Sequence, residues 1–201
     1  MKHLHELIVT SKAWRRTSSN LNADPKTLAK DSNNHFYWRI NSHRMESEVI
    51  RDSLLNLAGT LDTKQGGPSV KPNPSVLRRS LYFERSPKQQ VKLLSMFDDA
   101  DALVCYRRSE SIVPQQALAL YNSKISIDSS EQVAALLNKE KSDQEFAAQA
   151  FELILCRKPS VAELDACKTF LVRLEGVSPK GPGRARLVQA LFNHNDFINI
   201  R

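Results

Sequence analysis

Cysteine is scarce in this chain: Cys105, Cys156 and Cys167 are the only three. An odd count with no Cys-x-x-Cys spacing gives neither a zinc site nor a disulfide framework. The missing Cys-x-x-Cys-His sequence means that no haem c is attached within these residues. Long apolar runs are absent as well, and without eighteen consecutive apolar residues nothing here spans a membrane as a helix. The opening MKHLHELIVTSKAW has polar residues throughout its length and no small-residue cleavage site, so it does not read as a signal peptide. Gly66-Gly67 is followed by proline where a phosphate loop needs lysine and a hydroxyl residue, which argues against nucleotide binding. No Gly-x-Ser-x-Gly elbow accompanies His5, Ser11 and Asp52, the residue types of a hydrolytic triad. Neither a helix-turn-helix nor a basic helix free of matching acids is present, so no nucleic-acid partner is expected.

What the chain does contain is ordinary for a soluble globular protein: 41% hydrophobic and 25% charged residues over 201 positions. That length carries one domain with a sizeable core, or two small lobes. The net charge of +7 is uneven, with 16 Lys+Arg against 10 Asp+Glu in residues 1–100 and 13 against 12 in the remainder. A basic half can steer an acidic partner, either an anionic glycan or an acidic protein. The basic residues are dispersed among acids, however, and that pattern also describes a solvated surface.

Apolar spacing predicts a mostly all-α protein, an irregular multi-helix bundle with one Gly/Pro-rich connector. Leu4, Leu7, Ile8 and Ser11 recur at helical spacing with no capping residue before them, so the chain reads as starting inside a helix. A second helix is expected between Asn41 and Gly59, with Val49, Ile50, Ser53, Leu54 and Leu57 on its buried side and Gly59 just past its end. Ser86, Pro87 and Gln89 combine an N-cap, a first-turn proline and a capping-box partner ahead of Val91, Leu94 and Phe97. Ser142 with Glu145, and Ser160 with Glu163, repeat the box. They introduce Phe146, Ala150, Leu153 and Ile154 in one helix, then Leu164, Cys167, Leu171 and Leu174 in the next, ended by Gly176. Cys156 and Cys167 take core-facing positions, where a free thiol packs as a small hydrophobe; a disulfide between them stays open, because spacing does not supply Cβ geometry. The prolines around Gly66 to Pro74 forbid a helix there. Leu77 to Phe83 fits either a short strand or a helical turn. The expected organisation is a helical lobe over 1–62, a connector over 63–76 and a helical lobe over 77–201, together one domain.

Candidate chemistry is sparse. His3 and His5 are two apart and point to different helix faces, whereas helical metal pairs need three or four; His43 and His194 lack acidic or cysteine partners at ligand spacing, so no metal site is expected. Asp98, Asp99 and Asp101 cluster as a carboxylate pair for glycan cleavage would. They also suit a turn after a helix ending at Phe97, locked by ion pairs from Arg107 and Arg108. Arg15-Arg16, Arg78-Arg79 and Arg107-Arg108 are the best anion-binding candidates, with Trp14, Tyr82 and Tyr106 beside them for stacking. Adjacent helical residues face different ways, so each pair is expected to give one exposed and one structural arginine. Glu48, Arg51 and Asp52 read as ion pairs for helix packing.

Several of these segments occur in one order: HELIVTSKAWRRTSS from His5, ESEVIRDSLLNLAGTLDTKQGGPSV, RRSLYFERSP, FDDADALVCYRRSESIVPQQALALYN from Phe97 to Asn122, AFELILCRKPSVAEL and LFNHNDFINI. Together they resemble the C-terminal domain of large planctomycete proteins in the domain-of-unknown-function family 1553, often joined in one polypeptide to a cytochrome c module. Trp14 stands where the family usually has tyrosine, and Ala23 to Asn34 is more polar than the family's arginine-rich counterpart. The resemblance implies a fragment of an exported protein, whose partner is the upstream domain and whose parent is able to carry haem c. It implies an interaction or structural module and no catalytic residue here. Two alternatives stay open: a share in a polysaccharide-acting site completed by an N-terminal domain, and a docking surface for an acidic redox partner.

Overall fold

The computed structural model describes residues 1–21, 23–86, 91–100, 111–138, 142–175 and 183–200. Pro87 and Gln89 of the first expected capping box, Asp101, Cys105, Tyr106, Arg107, Arg108 and the helix stop at Gly176 lie outside them. Among the described residues there are ten α-helices and a two-stranded antiparallel ribbon, a mostly all-α architecture. The chain divides into two compact units, Met1–Arg44 with Asn199–Arg201, and Met45–Ile198.

The first unit holds α1 (Lys2–Thr10), α2 (Pro25–Lys30) and the ribbon of β1 (His43–Arg44) with β2 (Asn199–Ile200). α1 starts without a side-chain cap and buries none of its residues, with Leu7 59% exposed. α2 is short, and Asp24 caps it by accepting from the Lys26 amide while Pro25 opens its first turn. The following loop is closed by side chains. Asp31 accepts from the amides of His35 and Phe36, and Asn34, in the left-handed region at φ 58°, bonds Arg39 and Asn41.

The second unit contains α3 (Ser47–Leu57), a 3-10 turn (Ser80–Tyr82), α4 (Lys92–Met96), α5 (Pro114–Asn122), α6 (Lys124–Leu137), α7 (Asp143–Leu155), α8 (Val161–Glu175), α9 (Gly183–Phe192) and α10 (Asn195–Ile198). Helix α9 is its centre and packs on α5, α6, α7 and α8. Val188 and Phe192 of α9, Val133 of α6 and Phe146 and Ala150 of α7 are fully buried in one core that also takes Ile50, Leu54 and Leu120. A smaller core of Phe83, Val91 and Leu94 lies under Val70 and Val76. The 63–76 segment belongs to this unit. It runs extended and meets the 78–83 stretch in parallel bridges, Asp62 to Arg78 and Val70 to Phe83, which is why a proline-rich stretch still has bonded backbone groups.

Local signals set most helix ends. Gly59, at φ 70°, terminates α3: its amide donates to Asn56 and that of Thr60 to Leu55, so two otherwise unpaired carbonyls are satisfied. Ser142 and Glu145 form a reciprocal box at α7, and Ser160 and Glu163 do so at α8. Two expectations need correction. Val49 and Leu153 are exposed, because the buried arcs of α3 and α7 are narrower than the runs of apolar residues in them. Cys156 is not in the core: it is the left-handed C-cap of α7 at φ 54° and exposed, whereas Cys167 is buried, and both thiols are free. Of the Leu77 to Phe83 run, for which strand and helical turn were both open, Ser80–Tyr82 form the 3-10 turn, while Arg78 and Phe83 make the isolated bridges.

An ion-pair hub joins α8 to α10. Arg157 donates through Nη2 to Glu163 Oε1 at 2.7 Å and through Nε to Asp196 Oδ2 at 2.7 Å, while the Ser160 amide donates to Glu163 at 2.7 Å. The Arg157 hydrogen bond is the main reason that the Glu163 carboxyl is held down to about 2. An acid whose folded pKa lies below its unfolded value of about 4.3 adds stability above that value and loses it as pH falls toward the folded one. The side chains are 36% and 30% exposed, so screening leaves roughly 1 kcal/mol. Glu163→Gln is therefore expected to lower urea-unfolding stability by about 1 kcal/mol at pH 7, with the gap between variant and parent chain closing between pH 4.5 and pH 2. A gap of equal size at pH 2 would assign the loss to packing instead.

Candidate functional site

Helix α3 places Glu48, Arg51 and Asp52 three and four residues apart, hence on one face. Arg51 is 1% exposed and is the largest fully buried side chain among the described residues. Its Nη1 donates to Asp52 Oδ1, the Arg78 carbonyl and Ser80 Oγ, each at 3.1 Å, and its Nη2 donates to the Val76 carbonyl. The guanidinium also lies 4.7 Å from the Phe83 ring centroid. Burial pulls its pKa below the usual arginine value, against the pull of Asp52. An arginine nevertheless stays charged inside a protein, so this charge is held by the groups around it.

Asp52 is equally committed. Both of its oxygens accept from the Ser80 amide at 3.0 Å, and Oδ1 accepts from Ser80 Oγ at 2.7 Å. Arg79, half exposed, approaches only to 4.0 Å. Arg78 donates to the Gly66 carbonyl and stacks 4.1 Å from the Tyr82 centroid, and Tyr82 Oη accepts from the Gly66 amide at 2.8 Å. Gly67, at φ 92°, brings backbone against Arg78, whose Nη2 would be 3.4 Å from a Cβ there. The 66–82 stretch is thus pinned to α3 by arginine forks and backbone groups.

A second cluster shares one arginine between two acids, since Arg85 donates to both Glu48 and Asp99. Burial pushes the Asp99 carboxyl up, and the Arg85 bond opposes that shift. Asp98, at φ 56° directly after the α4 cap Phe97, accepts from the Ser111 amide at 2.7 Å and from Ser111 Oγ. Gln116 of α5 donates to the same hydroxyl at 3.1 Å. The acidic turn therefore uses Asp98 to fix the entry to α5 and Asp99 to reach Arg85. The contact expected from Arg107 or Arg108 lies outside the described residues.

The three arginine pairs are not gathered in any one unit among the described residues. Arg15 and Arg16 are exposed in the first unit, where Arg16 donates to the Tyr37 carbonyl; Arg78 and Arg79 belong to the second. Ser11 caps its own helix end, donating to the Ile8 carbonyl at 2.7 Å and accepting from the Trp14 amide at 3.1 Å. No group of three or more His, Cys, Asp or Glu side chains among the described residues is placed to hold a metal ion. No described helix is long and apolar enough to cross a membrane.

Sequence reasoning missed Ser80, Arg85 and Ser111. Ser80 and Arg85 do stand in the RRSLYFERSP segment, but Asp52 is 28 residues from the first and Glu48 is 37 from the second. It also missed a cavity of about 550 Å³ in the second unit, lined chiefly by α4, α5 and the start of α6. Gln115, Leu118, Ala119 and Asn122 present one face of α5 to it; Lys92, Leu93 and Met96 come from α4, Lys124 and Ile125 from α6, and Arg51, Pro74, Val91 and Ser123 complete the wall. That space is made by juxtaposed helices and has no local sequence signature.

The profile of a family described as "Protein of unknown function (DUF1553)" matches residues 1–171. No curated protein and no solved structure matches the chain.

Proposed function

The chain belongs to the DUF1553 family, and from that premise we propose that it is a non-catalytic interaction or structural module of an exported, planctomycete-type multidomain protein. Its partner is the upstream domain of the parent polypeptide, in which a cytochrome c module supplies haem c. The observation that carries this reading is the state of the motif charges. Glu48, Arg51, Asp52, Arg78, Asp98 and Asp99 are each bonded to other parts of the fold. A carboxylate whose oxygens already accept backbone and hydroxyl protons is poorly placed to take one from a substrate. Such contacts are what an interior scaffold for a presented surface requires.

The test is calorimetry of this chain against the rest of its parent polypeptide, expressed separately. One-to-one association with a negative heat-capacity change is expected, since buried apolar surface gives that sign, together with no release of reducing ends from sulfated polysaccharide. Absence of association would contradict the proposal. So would polysaccharide cleavage by the parent protein that Asp52→Asn abolishes while circular dichroism shows the fold intact.

A further inference from the structure

The cavity beside α4 and α5 has the chemistry of a ligand site that the module reading does not use. Its volume of about 550 Å³ lies within the roughly 300–1,000 Å³ typical of small-molecule pockets. Its walls are predominantly apolar, and Leu118, on the α5 face that lines it, is 62% exposed although its helix is well packed on the opposite side. The charged residues of the described lining are all of one sign, Arg51, Lys92 and Lys124; Arg51 is paired with Asp52 and Lys124 with Asp128 at 2.8 Å, which leaves Lys92 as the cation unpaired among the described residues. Arg51 is fully buried, and its Nε has no hydrogen-bond partner among the described residues although both terminal nitrogens are bonded. A buried donor left unmet costs free energy, and an apolar chamber with a cationic wall favours a molecule that brings both a hydrocarbon body and an acceptor of negative charge.

We propose that this cavity binds a single-chain amphiphile with an anionic head, a medium- or long-chain carboxylate. The alkyl chain lies along the Leu93, Met96 and Leu118 wall and displaces water from it, while the carboxylate takes its place between Lys92 and the unmet Nε of Arg51. Neutral and cationic heads on the same chain lose the second contribution and keep the first. The site would therefore discriminate by head group more steeply than by chain length, because a carboxylate held by charged donors gains more from each hydrogen bond than the chain gains from each added methylene.

The test uses the full chain and dodecanoate below its micelle concentration, followed by titration calorimetry and by the methyl signal of Met96. The expected result is saturable binding at one site, weakened at least tenfold for methyl dodecanoate and for dodecyltrimethylammonium, and weakened about tenfold by Lys92→Glu. Ala119→Trp fills the chamber and is expected to abolish binding. Leu118→Asp, at an exposed position, is a second variant expected to weaken it without disturbing the fold, with circular dichroism as the control for both. The proposal is overturned if dodecanoate does not bind, if all three head groups bind equally, or if binding persists in Ala119→Trp. It is also overturned if an amphipathic helical peptide binds in competition with Ala119→Trp-sensitive contacts while dodecanoate does not.

Discussion

Asp52→Ala is expected to lower the unfolding free energy of the chain by about 3–5 kcal/mol, the cost of leaving a buried charge without its partner. Arg51 has 1% of its side chain exposed, and Asp52 is its only carboxylate partner among the described residues, at 3.1 Å. The substitution also removes the acceptor for the Ser80 amide and hydroxyl, so the 3-10 turn loses its anchor to α3 at the same time. Urea unfolding followed by circular dichroism measures the effect. A loss below about 1 kcal/mol, the range of an exposed pair, would mean that Arg51 reaches water once Asp52 is gone.

Phe192→Ala should cost a similar amount, about 3–5 kcal/mol, as large-to-small changes of fully buried aromatics do. Phe192 is 0% exposed near the end of α9, the helix on which α5, α6, α7 and α8 converge, and its ring lies 5.4 Å from that of Phe197. The helices around it are too closely packed to collapse onto the vacated space. Thermal unfolding would show the loss as a lowered midpoint, and a midpoint within experimental error of the parent chain would place the centre of the core elsewhere.

These two effects differ in how far the sequence announced them. The buried faces of α3, α7 and α8 were legible because capping residues and apolar spacing act over three or four residues: Ser142 with Glu145 and Ser160 with Glu163 mark starts, Gly59 marks the end of α3, and Phe146 or Leu171 follow in register, whereas α9, which carries Phe192, has no such signal. Where the signal was local but ambiguous, geometry decided. Val49 and Leu153 are as apolar as their neighbours yet face outward, and Cys156 turns away because the chain takes a left-handed step there.

The polar framework was only half legible. Glu48, Arg51 and Asp52 stood out at helical spacing, but nothing in the spacing says that Arg51 is the largest fully buried side chain among the described residues or that Ser80 is what saturates Asp52. Those partners come from the opposite side of a proline-rich connector, and only the fold brings them together. Asp98 and Asp99 illustrate the same point. They were recognised as a turn, yet among the described residues their partners are Ser111 and Arg85. The cavity had no signal at all, since Leu118 and Ala119 look like any other stretch of an amphipathic helix until α4 stands beside it.

The most direct test of the claim that the motif charges build the fold is a double-mutant cycle on Arg51→Met and Asp52→Leu in urea unfolding. A buried ion pair replaced whole by apolar groups of similar volume costs little, whereas breaking it from one side costs several kcal/mol. The account predicts that each single change destabilises by about 3 kcal/mol or more and that the double variant recovers at least about 2 kcal/mol of the sum. Additive losses, or single variants within about 0.5 kcal/mol of the parent chain that have lost the module's association with its parent polypeptide, would contradict it.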